Sequence, residues 1–570
     1  MYKINIEKYN YIIMSLILFS LILILYTFPE IGNLSQSIIG KKDAYVVIWN
    51  TYIIETGLHS GKPWTTHESF YPWGTSLLMH GSTPFLGLFT MLFKNKILAL
   101  NIFILGMLLL SALSTVYLAK QFIRNNYFAI ICGFVFAFSP YKMARIEEHY
   151  PLVFTALIPL FLAFGMKAFR FDSGTLFPSL QSKKYRVAFI VTALLCFIID
   201  YTIFFQMTFL YILYSIFYIL YSFSLLVSKK RFWIALVSVV ITIHCLIIGL
   251  IHFGFSDNGG FWWGGKWIDY ILPYNSAVYS KIGNDLTRFF AVENRSIESD
   301  MFLGYSLIIA LFIAIIFIVR KRGIDLSIKA LLFTLLMLFF ITMPVIQLPY
   351  LFPLYSPTAI LHFIPIIKNL RCPTRFINDF MLVAPIIIFY VLEQKIAVSA
   401  SMKNGIATLL FLCLLVEYYP SNYSYVDYIT IPKVYYELAR KPRESVLIFP
   451  LGLRDGMKIE GRFDVETMQY QTIHKKKTMG GYISRLPDWM WYVHSQNAFT
   501  NMLLQLEEDS LKTIPKIDYL FAMKQLKIDY VIIPQRYCNE KASLFLQTIV
   551  APLLIQKEII NGDILLSLKR

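Results

Sequence analysis

The chain has 570 residues, of which 57% are hydrophobic and only 15% are charged, and its formal net charge is +17. A soluble domain usually carries about 25% charged residues, so this composition excludes a soluble globular enzyme, a disordered chain and a disulfide-rich secreted domain. No basic stripe lies outside short loops, and the excess of Lys and Arg therefore indicates cytoplasmic loops rather than nucleic-acid binding. We expect a polytopic membrane protein.

Eleven apolar runs follow one another along the chain, and each predicts a membrane-spanning helix. No small-residue cleavage site follows the first run, which predicts a retained span rather than a removable signal. A further apolar segment, 84–93, is too short to span a bilayer and predicts an interfacial helix. The eleven runs are 11–28, 97–119, 127–140, 152–169, 187–200, 202–227, 232–252, 302–319, 330–348, 379–394 and 405–419.

The gaps between these runs alternate in character. One set is short, rich in Lys and Arg and nearly free of acidic residues, as cytoplasmic loops are. The other set is longer, mixed in charge and rich in Trp, Pro, Gly and His. Its members are 29–96, 141–151, 253–301, 349–378 and the tail after 419. This alternation predicts a cytoplasmic N-terminus and a C-terminal segment on the outer face of the membrane.

The composition changes near residue 420, where charged residues return and long apolar runs stop. Short apolar segments of the tail predict strands at 445–449 and 530–534 and a terminal strand or hairpin at 559–568, and helical spacing predicts a helix at 511–526. We therefore predict two domains. Residues 1–420 form a transmembrane domain that includes the large external loop 29–96, and residues 421–570 form an extracytoplasmic α/β domain.

The external loop 29–96 contains the candidate catalytic carboxylate, Asp43. A carboxylate just beyond the first span accepts a proton from an acceptor hydroxyl if the two lie within hydrogen-bond reach. The alternative is that Asp43 caps a helix beginning at Ala44. Aromatic and polar side chains follow it in the same loop: Trp49, Glu68, Tyr71 and His80.

Two further external segments carry clustered cations. In 139–151, Arg145 and His149 are four residues apart and share a face if the segment is helical, an arrangement that suits a phosphate or a metal. An ordinary solvated loop is the alternative. In 362–376, Arg371 and Arg375 lie on the side of the membrane where cations are rare, which predicts a bound anion such as a lipid phosphate. Pairing with an acid such as Asp379 is the alternative.

The remaining candidates are weaker. Trp263 lies in a loop rich in Trp and Gly, where an aromatic face binds a sugar or belongs to the interfacial aromatic belt. The six cysteines contain no CxxC pair, and no HExxH or comparable ligand spacing occurs. We predict no metal site and no cofactor, although a divalent cation near the external histidines stays possible.

The order of these elements resembles the C-type glycosyltransferases (GT-C superfamily), and most closely the uncharacterised GT-C proteins related to the YfhO-type membrane proteins. The resemblance covers about residues 11–400. It rests on short motifs in this order: Asp43 with Trp49, 70–74 with His80, Asn101, 139–141 with Arg145 and His149, and 370–376. Two departures are Lys42 in place of the usual Gly before the acid, and the lack of an Asp-x-Asp motif.

The resemblance implies an inverting glycosyltransferase that takes a hexose or pentose from a polyprenyl-phosphate carrier at the extracytoplasmic face of a bacterial or archaeal cytoplasmic membrane. Asp43 is then the catalytic base. The substrate-binding residues that the resemblance implies are Trp49, Glu68, Tyr71, His80, Arg145, His149, Trp263, Arg371 and Arg375. The acceptor is an envelope glycan, a lipid or a protein, and membrane lipids are partners. Two alternatives stay open from the sequence: a transporter or flippase for a lipid-linked glycan, and a non-catalytic envelope assembly protein.

Overall fold

The computed structural model describes residues 10–78, 80–81, 84–171, 175, 177–252, 264–290, 297–320, 323–347, 353–364, 372–421, 423–427, 430–510 and 513–569. Its contacts divide the chain into two compact units. The first, called the helical unit, combines Met1–Ile31 with Ile104–Tyr423. The second, called the mixed unit, combines Gly32–Phe103 with Ser424–Arg570.

The structure is mostly helical, with helices in both units. In chain order the α-helices are α1 (Asn10–Thr27), α2 (Lys42–His59), α3 (Pro84–Met91), α4 (Lys96–Ala119), α5 (Asn126–Ala137), α6 (Pro140–Arg145), α7 (Leu157–Ala168), α8 (Lys183–Ile199), α9 (Tyr201–Leu226), α10 (Lys229–His252), α11 (Ser280–Phe289), α12 (Tyr305–Arg320), α13 (Leu326–Thr342), α14 (Ile377–Gln394), α15 (Ala400–Glu417), α16 (Lys433–Arg440), α17 (Glu466–His474), α18 (Asp488–Gln496), α19 (Ala498–Glu507), α20 (Tyr519–Lys524) and α21 (Lys541–Val550).

The strands are short, and the longer ones lie near the C-terminus. In chain order they are β1 (Ser37–Ile39), β2 (Thr65–Thr66), β3 (Thr75–Ser76), β4 (Phe169–Arg170), β5 (Ser179–Leu180), β6 (Val345–Gln347), β7 (Pro353–Tyr355), β8 (Tyr425–Asp427), β9 (Ser445–Ile448), β10 (Leu453–Arg454), β11 (Ile459–Glu460), β12 (Lys477–Thr478), β13 (Gly481–Tyr482), β14 (Tyr530–Ile533), β15 (Leu554–Ile560) and β16 (Asp563–Leu568).

The helical unit agrees with the apolar pattern of the sequence, since each of the eleven runs overlaps a helix. Within the described residues, six helical segments are long and apolar enough to cross a membrane, which indicates a multi-pass membrane protein. They are Asn10–Thr27, Lys96–Ala119, Tyr201–Leu226, Lys230–Leu250, Pro373–Gln394 and Ala400–Glu417. In the apolar window around α14, 94% of the residues are buried, whereas in that of α10 only 6% are buried. Helix α14 is therefore central and α10 peripheral within this unit.

Polar side chains fix where several of these helices begin. Asn125 caps α5 by accepting a hydrogen bond from the backbone N–H of Tyr127. Asp200 ends α8 and caps α9, where its carboxylate accepts from the N–H groups of Thr202 and Ile203. These caps satisfy backbone donors that the first helical turn leaves unpaired. A continuous apolar stretch is thereby divided at 200 into two separate helices.

The mixed unit contains a five-stranded sheet with the order β12-β9-β14-β16-β15. Strands β12, β9 and β14 are parallel, and β14, β16 and β15 pair antiparallel. Strands β9 and β14 lie at the predicted segments 445–449 and 530–534, and β15 with β16 covers 559–568. The predicted helix at 511–526 is wrong in extent, because α20 begins only at Tyr519, where Asp518 accepts from the N–H of Phe521.

The external loop packs with the C-terminal residues, a grouping that differs from the predicted division at 420. Strand β1 pairs antiparallel with β8, and the N–H of Tyr71 donates to the carbonyl of Thr478 at 3.0 Å. Trp49 and Phe70 of the loop lie in one hydrophobic core with Leu447 of β9. Burial of these apolar side chains places the loop in the mixed unit rather than with the apolar helices that flank it in sequence.

Candidate functional site

The segment after α5 places Arg145 in the interior of the helical unit. Pro140 occupies the first position of α6, where its missing N–H costs no helical hydrogen bond, and the helix ends at Arg145. Arg145 is fully buried. His149 lies beyond the helix end with φ at 62°, in the left-handed region. The helical face that Arg145 and His149 were expected to share therefore does not form.

Glu298 is the acid that meets Arg145. It lies in a short 3-10 turn, Ile297–Ser299. Nη2 of Arg145 donates to Oε2 of Glu298 and to the carbonyl of Ile297, both at 3.0 Å. Nε2 of His149 lies 3.7 Å from the other carboxylate oxygen, Oε1. The structure thus brings Arg145 and His149 together through a residue that the sequence analysis did not single out.

Arg375 reaches the same carboxylate from a different element. It lies in the 3-10 turn Pro373–Phe376, directly before α14. Its Nε donates to Oε2 of Glu298 at 3.2 Å and its Nη2 to Oε1 at 2.5 Å. This bidentate pairing fits the planar guanidinium. Among the described residues, Glu298 rather than Asp379 is the acid that forms a salt bridge with Arg375.

The cluster of Arg145, Arg375 and Glu298 carries an excess of positive charge. Two guanidinium groups face one carboxylate, which leaves a net charge of +1. Burial would raise the pKa of Glu298, but the charges of Arg145 and Arg375 outweigh it and hold the pKa well below its usual range. Nε and Nη1 of Arg145 have no hydrogen-bond partner among the described residues. An anion of single charge would neutralise the cluster and satisfy these donors.

An apolar cleft lies beside this cluster in the helical unit. Pro373 and Phe376, which flank Arg375 in the chain, line the cleft together with aromatic and aliphatic side chains of α9 and α13. The cleft is lined by Phe205, Phe209, Ile341, Thr358, Leu361, His362, Pro373 and Phe376. The lining is mostly aromatic and aliphatic, and Pro373 and Phe376 place it next to Arg375 in the chain.

A second buried polar group lies close by in sequence. Lys142 of α6 is fully buried, and its Nζ donates to Oγ1 of Thr155 and lies 3.4 Å from the centre of the Phe136 ring. Burial lowers the pKa of Lys142, and the nearby charge of Asp379 acts in the opposite direction. Asp379, at the start of α14, is also fully buried. A lysine and an aspartate are thus held inside the helical unit.

Asp43 lies in the first turn of α2, in the mixed unit. The helix begins at Lys42 and its N-cap position is Lys41, which makes no side-chain cap. The alternative that Asp43 caps a helix starting at Ala44 is therefore wrong. A carboxylate in the first turn is stabilised by the positive end of the helix dipole. Asp43 is half-buried, so its side chain keeps contact with solvent.

Trp49 and His80 are buried structural neighbours within the mixed unit. Nε1 of Trp49 donates to Oε1 of Gln471 at 2.6 Å. Nδ1 of His80 accepts from the N–H of Ser484 at 3.0 Å, so Nε2 is the protonated nitrogen and donates to Oδ1 of Asn50 at 2.8 Å. Burial lowers the pKa of His80 to about 4. Both ring nitrogens of His80 are used inside the protein.

Glu68 and Tyr71 are more accessible. Oε2 of Glu68 accepts from the hydroxyl of Tyr52 at 3.3 Å, and burial raises the pKa of Glu68. Nζ of Lys477 lies 6.0 Å from the centre of the Tyr71 ring. The other two sequence candidates, Trp263 and Arg371, lie outside the described residues. Glu298 is an acid shortly before a predicted span, and this position relative to the external cations is the signal that would have identified it.

The described residues contain no group of three His, Cys, Asp or Glu side chains that could hold a metal ion. No curated protein matches the chain. The profile of one protein family, described as a domain of unknown function (DUF6311), matches residues 14–419. The match covers Asp43 and the cluster of Arg145, Arg375 and Glu298, and it ends before β8. Because it extends over more than half of the sequence, the chain belongs to the DUF6311 family.

Proposed function

We propose that this chain is a membrane glycosyltransferase of the GT-C type. It transfers a sugar from a polyprenyl-phosphate carrier to an envelope glycan, lipid or protein. The observation that carries the proposal is the cluster in which the buried Arg145 and the partly exposed Arg375 share the single carboxylate of Glu298. A phosphodiester carries one negative charge, which matches the net charge of this cluster, and arginine forks fit phosphate oxygens.

The proposed reaction inverts the configuration at the anomeric carbon of the sugar. The carboxylate of Asp43 takes the proton of an acceptor hydroxyl, and the hydroxyl oxygen forms a bond to the anomeric carbon. The bond between that carbon and the phosphate oxygen breaks, and the oxygen keeps the electron pair. The guanidinium groups of Arg145 and Arg375 stabilise the phosphate that leaves, so the reaction needs no strong acid.

The apolar cleft beside Arg375 supports a lipid donor, because it offers a hydrocarbon surface next to the charged cluster. In this proposal the chain has eleven spans and the N-terminus is cytoplasmic. Three parts of the chain lie on the outer side of the cytoplasmic membrane. They are the cluster of Arg145, Arg375 and Glu298, the loop 29–96, and residues 421–570, which form an α/β domain. The short basic gaps of the sequence support this orientation.

The test is complementation of a deletion strain, with envelope glycans read by mass spectrometry. We expect wild type to restore a sugar that the deletion loses, and Asp43→Asn and Arg375→Gln, expressed at normal level, to fail. Asp488→Asn is the matched control, because Asp488 also lies in the first turn of a helix. Full restoration by Asp43→Asn would remove Asp43 from the mechanism.

A second candidate function is transport of a lipid-linked glycan. Buried ionisable groups within a helical bundle are typical of transport pathways, and Lys142 and Asp379 are such groups. In the same strain, transport predicts that Lys142→Met abolishes glycan export whereas Asp43→Asn does not. A non-catalytic assembly protein predicts that neither substitution changes the attached sugars.

A further inference from the structure

Helix α11, which lies between α10 and α12 in the chain, has two chemically distinct faces. Ile282, Leu286 and Phe289 are spaced at four and three residues and lie on one side of the helix. Lys281, Asn284, Asp285 and Arg288 lie on another side. At ten residues the helix is too short to cross a bilayer.

The apolar face of α11 is open. The side chain of Phe289 is 79% exposed and Ile282 is 46% exposed. Phe290 follows directly, and its ring meets that of Trp267 with 6.0 Å between centroids. Monomeric soluble surfaces seldom expose a cluster of large apolar side chains without a partner. The patch formed by Trp267, Ile282, Phe289 and Phe290 is called the α11 patch.

The helix is fixed to the helical unit by a different side. A Cβ atom at Gly283 would lie 2.5 Å from the carbonyl oxygen of Pro273, so the glycine permits a close approach of the two backbones. This contact leaves the apolar face free instead of turning it inward. The orientation of the patch is therefore set by the protein.

We propose that the α11 patch docks on the anionic surface of the lipid bilayer. Helix α10, which precedes α11 in the chain, supports this occupant, because only 6% of the residues in its apolar window are buried and its surface is available to lipid. Trp favours the interfacial region, and Phe is common on the apolar face of helices that lie in this region. On the polar side of α11, Lys281 and Arg288 outnumber the one acid, Asp285, and this net positive charge complements acidic head groups. This inference does not depend on the proposed transferase activity.

The test places a fluorescent label on each face of α11 in the full chain, reconstituted into phosphatidylcholine vesicles containing phosphatidylglycerol. Phe289→Cys and the control Asn284→Cys are labelled with bimane in a Cys245→Ala background, because Cys245 is an exposed native cysteine. Signal from the background protein alone is subtracted. Quenching is measured with nitroxide-labelled lipid and with aqueous iodide.

We expect lipid quenching at position 289 to be at least about twofold stronger than at 284, with the reverse order for iodide. Equal lipid quenching at both positions would overturn the proposal. A label at 289 that is protected from both quenchers would also overturn it, because protein would then cover the patch. Lys281→Glu combined with Arg288→Glu should reduce lipid quenching at 289, and an unchanged value would exclude the role of acidic lipid.

Discussion

Two buried glutamates in this protein, Glu298 and Glu507, have opposite electrostatic environments. Glu298 lies between the guanidinium groups of Arg145 and Arg375, which hold its pKa well below the usual range although burial acts to raise it. Glu507 accepts hydrogen bonds from the backbone N–H groups of Leu451, Gly452 and Arg462 at 2.7, 3.3 and 3.1 Å. Burial nevertheless raises the pKa of Glu507 to about 7.

The difference shows that full charges compensate the loss of hydration where backbone dipoles do so only in part. Glu298 stays ionised, and its two arginines depend on its charge. Glu507 is half protonated near pH 7 and mostly neutral about one pH unit lower, and its role is to connect the segment after β9 with α19. Glu298 therefore belongs to a site that depends on its charge, whereas Glu507 belongs to a structural site that depends on its hydrogen bonds. Four substitutions test that distinction.

The largest expected effect is that of Glu298→Gln. The substitution keeps the shape of the side chain but removes the counter-charge of the fully buried Arg145 and of the partly exposed Arg375, which costs about 3–5 kcal/mol of stability. We expect the apparent melting temperature of the detergent-purified protein to fall by many degrees. A fall of less than about one degree would show that the arginines do not depend on Glu298.

The second effect is partial recovery when one arginine is also removed. Glu298→Gln combined with Arg375→Gln leaves only one unpaired guanidinium, so the double variant should be more stable than Glu298→Gln alone. The coupling free energy from the complete double-mutant cycle is expected at about 0.5–3 kcal/mol. Additive effects of the two substitutions would contradict the pairing.

The third effect is a change in pH dependence at Glu507. Because folding raises its pKa from 4.5 to about 7, the folded state holds a proton that the unfolded state has lost. The contribution of this proton to the free energy of unfolding is complete below pH 4.5 and disappears as the pH rises through 7. The change amounts to about 3 kcal/mol. We expect Glu507→Gln to gain stability relative to wild type between pH 5 and pH 8.

Melting curves of both proteins across this pH range measure the difference. Burial also lowers the pKa values of His80 and His494 to about 4. Because of these two histidines, the folded protein gains stability as the pH rises over part of the same range. Their contribution is common to both proteins and cancels in the difference. A difference that is constant with pH would show that Glu507 does not titrate as described.

The smallest effect is expected at an exposed acid. Glu437 pairs with Arg440 at 2.8 Å on the surface of α16, and both side chains are exposed. Water and salt screen this pair, so Glu437→Gln should change stability by no more than about 0.5 kcal/mol. It is the matched control for the other substitutions, and a larger loss would indicate a general effect of removing a glutamate.

The sequence by itself determined the local structure of this protein. Apolar runs became helices and the short apolar segments at 445 and 530 became strands, because side-chain hydrophobicity and its period act over neighbouring residues. The cations at Arg145 and Arg375 were also identifiable, since they interrupt an otherwise regular distribution of charge. Their selection did not require knowledge of the fold.

The tertiary structure alone decided which residues meet. Glu298 is separated from Arg145 by 153 residues, and Gln471 from Trp49 by 422. The fold also placed loop 29–96 beside the C-terminal sheet. Both ring nitrogens of His80 form hydrogen bonds inside the protein as a result. The physical reason is that these contacts form wherever packing buries two complementary groups, and one sequence contains no local signal for the partner.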